Sequence, residues 1–310
     1  MILADPSFMN LSGRSDGYRV QDIINSHLSA TGKMMRPRLI EIFSRIFHIK
    51  DSDQLLIARS AEMIHTASLI HDDVVDEADT RRGQKTLHKK ITNSKAVLAG
   101  DFLLARVIAE LVSAGRYEIL KTISQALEDI VEGEFLQDQI KKNGTNSKEE
   151  LIEVSKKKTG ALLAWCCSAV AEISRAPQET VSKCHSFGEK IGVAFQMIDD
   201  NLDFCDVTGK DKYNDLKDGL INFTTLNLLK KYPELYYTIH QIRGSSFVEV
   251  CWTQKQITEA MEDTKKEANL LLEEAKNIFL DITNSSNSKD VIQVTDEVFQ
   301  FIDLIKERTK

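Results

Sequence analysis

The sequence predicts an all-α fold: a single-domain bundle of long helices around a central cavity. Three observations carry that expectation. Apolar residues recur at three- and four-residue spacing along most of the chain, and no convincing alternating strand pattern appears. Four prolines and fourteen glycines in 310 residues leave few breaks, while the dominant Leu, Ile, Ala, Lys and Glu favour helices. The chain could bury a core as one large domain or two small ones. It shows no linker-like boundary and no repeat beyond two short aspartate clusters, so one domain over 1–310 is the simplest organisation.

Taken in order, Ile23, Ile24 and Leu28 suggest a first helix. The periodicity then predicts helices over 33–48, 53–77, 93–112, 115–141, 148–173, 177–205, 222–231, 234–243, 254–280 and 287–308. Ala161 to Ala171, broken only by Ser168, is the longest apolar run; it falls short of a membrane span and suits a buried core helix. Lys142 to Ser147 and Asn284 to Ser288 read as loops. A polar, lysine-rich stretch runs from Asp206 to Gly219.

A formal net charge of −7 argues against a general nucleic-acid binder, although local basic patches can still bind anions. The five cysteines, Cys166, Cys167, Cys184, Cys205 and Cys251, make no C-x-x-C pair and no zinc spacing. They read as buried or incidental thiols in a reducing compartment. No signal peptide is visible in the first twenty residues, so the expected setting is the cytoplasm or the mitochondrial matrix.

The chemistry is concentrated in the two clusters, Asp72-Asp73-Val74-Val75-Asp76 and Asp199-Asp200-Asn201-Leu202-Asp203. Each follows an apolar run. On a helix, the first and last Asp of each lie one turn apart on one face. Carboxylates are rarely buried without a partner. All-oxygen ligands suit a hard cation such as magnesium, which typically bridges carboxylates to substrate phosphates. Arg81-Arg82 follows the first cluster, and paired guanidinium groups bind diphosphate oxygens bidentately. One acidic cluster alone would equally suit a solvated helix end; the second argues against that. Lys33 with Arg36, and Lys156 to Lys158, add cations that taken singly read as solvated helix starts. His65 taken singly reads as a satisfied core histidine.

With its neighbours, the pattern resembles the trans-isoprenyl diphosphate synthases from about Gly32 to Leu226. The carriers are Gly32-Lys33-x-x-Arg36-Pro37, His65-Thr66-Ala67-Ser68-Leu69-x-His71 running into the first cluster, and Arg81-Arg82-Gly83. Ala99-Gly100-Asp101-Phe102-Leu103-Leu104, Glu132-Gly133-Glu134-Phe135-x-Gln137, Lys158-Thr159, Phe195-Gln196 before the second cluster, and Asp215-Leu216-x-x-Gly219 complete the series. Within the family the chain is most similar to the long-chain polyprenyl synthases that make quinone side chains.

The resemblance implies an isoprenoid-synthase-type fold and a prenyltransferase that condenses isopentenyl diphosphate head-to-tail onto an allylic diphosphate. It implies that Asp72, Asp73, Asp76, Asp199, Asp200 and Asp203 face one another and hold two or three magnesium ions. Arg81 and Lys158 would hold the allylic diphosphate. Lys33, Arg36, His65 and Arg82 would hold isopentenyl diphosphate. Thr159 and Gln196 would lie beside the reacting carbons. It also implies a homodimer or a heteromer, with at most peripheral membrane contact for product release. Ala67 and Ser68 are small where short-chain relatives often carry an aromatic floor, so the product tunnel is expected to be open and the product long. Phe102, Leu103 and Val107 would form a deeper wall. The competing reading is that the two small residues merely allow close helix packing.

The chain departs from the pattern at three places. Leu220 stands where a diphosphate-binding lysine is frequent, with Lys210 or Lys217 as substitutes; long-chain members commonly lack that lysine too. Asn222-Phe223-Thr224-Thr225 is less typical, and Met34 replaces a frequent arginine. Four other readings compete: a geranylgeranyl or shorter-chain synthase, a helical metal-dependent phosphohydrolase using His65, His71 and Asp72, a terpene cyclase, and a partner subunit of a heteromeric synthase. His88, His185 and His240 lie in no metal-ligand pattern. A cyclase would normally lack the second Asp-Asp-x-x-Asp, and a non-catalytic subunit would usually lose these motifs.

Overall fold

A chain this rich in helix formers and poor in proline folds into helices almost throughout. The computed structural model describes residues 35–81, 83–144, 147–205, 212–245, 250–284 and 291–308, with Val20 and Ile24. The helices are α1 (Met35–Phe47), α2 (Asp51–Val75), α3 (Leu87–Lys90), α4 (Asn93–Ser113), α5 (Tyr117–Asn143), α6 (Lys148–Ser155), α7 (Ala161–Ile173) and α8 (Gln178–Leu202). They continue with α9 (Asn214–Lys217), α10 (Phe223–Lys231), α11 (Tyr236–Ile242), α12 (Gln254–Asn284) and α13 (Val291–Lys306).

Most expected helices are present, and three details differ. The helix expected over 148–173 is divided by a π turn at Lys156–Gly160. Such one-turn insertions frequently mark functional sites. Thr80–Arg81 and Gln84–Lys85 pair as a small antiparallel hairpin, with Gly83 at φ +75° in its turn. That geometry favours glycine and is too short to leave an alternating pattern. The short α3 and α9 fall below the window in which periodicity is readable.

The chain clusters into two compact units, Met1–Ser124 with Cys166–Val181, and Gln125–Trp165 with Ser182–Lys310. In the first unit, α4 presents Ala96, Ala99, Leu103, Val107 and Leu111 as a fully buried stripe. This is the three- and four-residue spacing of one helix face. α4 packs against α2, whose Ile57, Ala61 and Ile64 are buried. Arg59 donates to Glu110 at 3.0 Å and Arg116 to Asp53 at 2.7 Å, tying α2 to α4 and to the turn after it.

In the second unit, α12 buries Ala260, Thr264, Ala268, Leu272, Ala275 and Phe279, and α13 buries Val294, Val298, Phe301, Ile302 and Ile305. Small residues on one face let α10 and α13 approach α12. Every residue from Ala161 to Ala171 is buried, as a core helix requires. Cys166 and Cys167, in the first unit, and Cys184, in the second, are buried thiols outside any disulfide; burial pushes the Cys184 thiol up to about 12. Among the described residues, no helix is long and apolar enough to cross a membrane.

Candidate active site

Both aspartate clusters occupy the last turn of a long helix. Val75 ends α2 with Asp76 as its C-cap, and Leu202 ends α8. The carbonyl end of a helix carries partial negative charge, so carboxylates there are disfavoured unless a cation joins them. Placing three at each of two such ends costs stability and points to a role beyond folding. The first cluster belongs to the first unit and the second to the second unit.

In the first unit, Asp73 is 1% exposed. Arg81 donates from Nε to its Oδ1 at 2.6 Å, and the hairpin therefore holds an arginine against the cluster. The other oxygen, Oδ2, is buried without a hydrogen-bond partner. A buried carboxylate oxygen left unsatisfied costs free energy, and a cation would satisfy it. Asp72 is half-buried and Asp76 exposed. His65, Ser68, Asp72 and Asp76 follow at spacings of three, four and four and so share one face of α2. Ala67 is off that face and 1% exposed, packed in the core, while Ser68 is half-buried. Phe102 on α4 is half-buried as well. Arg36 donates to Glu62 at 2.8 Å. Lys33 and Arg82 lie outside the described residues.

The Ala99-Gly100-Asp101 motif has a physical explanation. His71 Nε2 lies 3.2 Å from the Val97 carbonyl oxygen and 3.5 Å from Asp101. A Cβ on residue 100 would fall 2.7 Å from the His71 ring carbon Cδ2. Gly100 thus lets the imidazole bridge α2 and α4, which occupies it in packing.

In the second unit, Asp199 forms an ion pair with Arg308, whose guanidinium lies 4.3 Å from the Phe195 ring centroid. Asp200 is 5% exposed, with Oδ1 accepting from Gln196 Nε2 at 2.9 Å and Oδ2 from the Phe223 N–H at 2.9 Å. Asp203 accepts the N–H groups of Asn214 at 2.8 Å and Asp215 at 3.3 Å. Burial and the charge of Asp215 push Asp203 up to about 7. Burial also raises Asp200 and Asp215.

Lys158 and Thr159 sit in the π turn. Lys158 donates to Gln137 at 3.0 Å and pairs with Glu134. A Cβ on Gly133 would lie 2.8 Å from Lys157 Cβ and Lys158 Cγ. The Glu-Gly-Glu-Phe-x-Gln motif of α5 therefore makes room for Lys158 and holds its ammonium group. Thr159 Oγ1 lies 3.1 Å from Gln196 Oε1. The Gln196 amide donates from Nε2 to Asp200, and its oxygen accepts from the Thr159 hydroxyl. The threonine hydroxyl hydrogen is thus committed, and its lone pairs point elsewhere.

Sequence reasoning missed Arg308, which lies near the end of the chain in no motif. It also missed the connection of Asn222 to the second cluster: the Asn222 Nδ2 donates to Asp215 Oδ2 at 2.7 Å. Of the lysines weighed against Leu220, Lys217 is half-buried in α9, and Lys210 is outside the described residues. Among the described residues, no three His, Cys, Asp or Glu side chains form a metal-binding group by themselves.

The chain is 37% identical over 227 residues to the human all-trans-polyprenyl-diphosphate synthase, covering 70% of this chain and 54% of that protein. It is 36% identical over 220 residues to the decaprenyl-diphosphate synthase of Dictyostelium discoideum, covering 70% and 48%. It thus spans about half the length of these curated relatives. Its fold superposes with a TM-score of 0.82 on a polyprenyl synthase of Caulobacter crescentus complexed with calcium and isoprenyl diphosphate, at 24% identity over 98% of this chain and 92% of that one. A family model described as polyprenyl synthetase matches residues 18–261, and with that match over most of its length the chain belongs to the polyprenyl synthetase family.

Proposed function

We propose that this chain is a magnesium-dependent trans-polyprenyl diphosphate synthase that adds isopentenyl diphosphate units to an allylic diphosphate and makes a long all-trans product. The observation that carries the reading is the pair of Asp-Asp-x-x-Asp clusters in helix-terminal turns, one with a buried carboxylate oxygen lacking a partner. Membership of the family supports it, as do relatives named for all-trans-polyprenyl, decaprenyl and solanesyl diphosphate.

Asp72, Asp73, Asp76 and Asp199 would hold magnesium, which when bound supplies positive charge to the departing diphosphate. Asp200 and Asp203, with both oxygens taken by N–H donors, would chiefly position Asp199. Lys158 and Arg81 would bind the allylic diphosphate, exchanging their present partners, Gln137 and Glu134 for the lysine and Asp73 for the arginine, for its oxygens. Lys33, Arg36, His65 and Arg82 would bind isopentenyl diphosphate. The lone pairs of Thr159, oriented by Gln196, would face the positive charge that develops on the allylic carbons. No side chain is assigned as the base; the released diphosphate would take the proton.

A second copy is the proposed partner. On α4, Leu98, Ile108 and Val112 are 62%, 49% and 43% exposed and share a face with the exposed Ala105. An apolar stripe of this length calls for a cover. Ubiquinone-type side-chain synthesis in the cytoplasm or the mitochondrial matrix fits a relative named mitochondrial.

The test is incubation of the purified chain with labelled isopentenyl diphosphate, magnesium and each allylic primer in turn, with products separated by length. Long products that vanish in chelator are expected. Diphosphate release without isopentenyl diphosphate would favour a hydrolase. Products of three or four units would favour a short-chain synthase, and no product without a second protein would favour a partner subunit.

A further inference from the structure

The atypical segment after the second cluster forms a closed hydrogen-bonded ring with it. Asp203 holds the N–H groups of Asn214 and Asp215 at the start of α9. Asp200 holds the N–H of Phe223 at the start of α10. Asn222 joins the two starts. It is 2% exposed and caps α10, its Oδ1 accepting the Thr225 N–H at 2.9 Å. Its Nδ2 donates to Asp215 Oδ2 at 2.7 Å. Thr224 adds a side strut, donating to Asn201 Oδ1 at 2.7 Å. The ring therefore runs from Asp200 through Phe223, Asn222 and Asp215 to Asp203, and both its ends lie in the acidic cluster.

We propose that Asn222 is a positioning residue that fixes the carboxylates of the second cluster for cation-bridged diphosphate. The inference rests on the synthase reading above. Its physical basis is specific to an amide. Capping a helix needs an acceptor, and holding a buried carboxylate needs a donor, and both are required of one side chain at once. Asn supplies one of each on opposite sides of a planar group. Within the ring, Asp200 and Asp203 have no oxygen left without an N–H donor. They act as struts, and Asp199, next to them on α8, is carried by the struts toward the cation. Loss of the Asn222–Asp215 link leaves the Leu220 N–H bond to the Asp215 carbonyl at 2.7 Å but removes the side-chain tie between α9 and the start of α10, which loosens Asp203 relative to Asp200. Changes of this outer kind typically cost about 10–100-fold in metal affinity.

The test uses the full chain with Mg²⁺ and inorganic diphosphate as probes, titrated calorimetrically, beside thermal unfolding without metal. Asn222→Asp keeps the cap, since Asp caps as well as Asn, but turns an oxygen toward Asp215. It should weaken binding about 10–100-fold. Adding Asp215→Asn restores a donor and an acceptor with reversed polarity and should recover most of the loss. Asn222→Ser keeps the cap without reaching Asp215 and adds no charge, so it should weaken binding even if Asn222→Asp fails to fold. Undiminished binding by Asn222→Ser would overturn the positioning role, as would a double variant no better than a folded Asn222→Asp. So would losses confined to the metal-free melting temperature. A wild-type chain that does not bind the probes would overturn the synthase reading and this inference with it.

Discussion

The crossing of α8 over the π turn offers a perturbation whose size follows from the geometry. A methyl group on residue 192 would lie 2.5 Å from Gly160 Cα and 2.8 Å from Gly160 N. Carbon atoms prefer separations of about 3.5–4.0 Å, so Gly192→Ala must open the crossing by about 1 Å. Both obstructing atoms are backbone, and no rotamer change can relieve them. Overpacking of this kind typically costs about 1–3 kcal/mol, which lowers the melting temperature by about 2–4 °C per kcal/mol in chains somewhat shorter than this one. The catalytic effect should be larger. Thr159 precedes Gly160, and Gln196 lies one turn after Gly192, so the 3.1 Å contact between them is next to the opened crossing. Another ångström takes it out of hydrogen-bond range, and misplacement on that scale can cost about 10²-fold in rate. The assays are thermal unfolding and steady-state condensation. Gly188→Ala is the control: its methyl would meet Ala164 Cα at 2.5 Å, one turn further from Thr159. It should lose similar stability and less activity. A Gly192→Ala variant that melts and turns over like the parent would refute the close crossing. Equal rate losses in both variants would show that the strain is general and does not act through Thr159.

Three further outcomes follow from the same geometry. Arg36→Ala should raise KM for isopentenyl diphosphate and Lys158→Ala should act on the allylic substrate. Each is expected at about tenfold or more for the loss of a charge-assisted hydrogen bond of about 1.5–3 kcal/mol, and equal effects of both variants on both substrates would contradict separate diphosphate sites. Ser68→Phe should shorten the product, because Ser68 shares the Asp72 face; Ala67→Phe should instead destabilise the fold, since that position is 1% exposed and packed, and product lengths with melting curves separate the two. The third concerns pH: Asp203 is raised to about 7 by burial and the charge of Asp215, so the metal-free folded chain binds a proton there that the unfolded chain releases near pH 4. Relative to Asp203→Asn, the wild type should therefore lose stability as pH rises from about 4 through 7, and a relative melting temperature that climbs over that interval would contradict the assignment.

The fold was legible because its elements are long. Over 25 residues, as in α2 and α8, the apolar spacing repeats often enough to exclude a strand. It was silent on α9, which has four residues and whose first two N–H groups are held by Asp203, across a segment with no periodic signal. The π turn was hidden for a different reason. Lys156 to Lys158 are good helix formers and give no local sign of an extra residue in the turn, across from which Gly192 lies against Gly160. Packing against a distant segment decides such details, and local propensity does not.

The site was legible as residue types and much less so as roles. The three aspartates of the second cluster are identical letters, and the reading from sequence treats them alike. Their environments separate them. Asp203 faces two backbone N–H groups, Asp200 faces one backbone N–H and an amide, and Asp199 faces a guanidinium from near the end of the chain. Each difference is set by a residue outside the motif, at 214, 223 or 308. A carboxylate with an N–H donor on each oxygen has fewer lone pairs left for a cation and would release backbone groups if it turned, whereas one paired with a long arginine side chain can exchange that partner for another positive charge without breaking the backbone. On this argument Asp199→Asn should damage cation-dependent diphosphate binding directly. Asp203→Asn, which keeps one acceptor for α9, should weaken it only to the extent that the Asn222 ring loosens. Calorimetry with Mg²⁺ and inorganic diphosphate distinguishes them, and an Asp203→Asn loss as large as that of Asp199→Asn would return Asp203 to the metal itself.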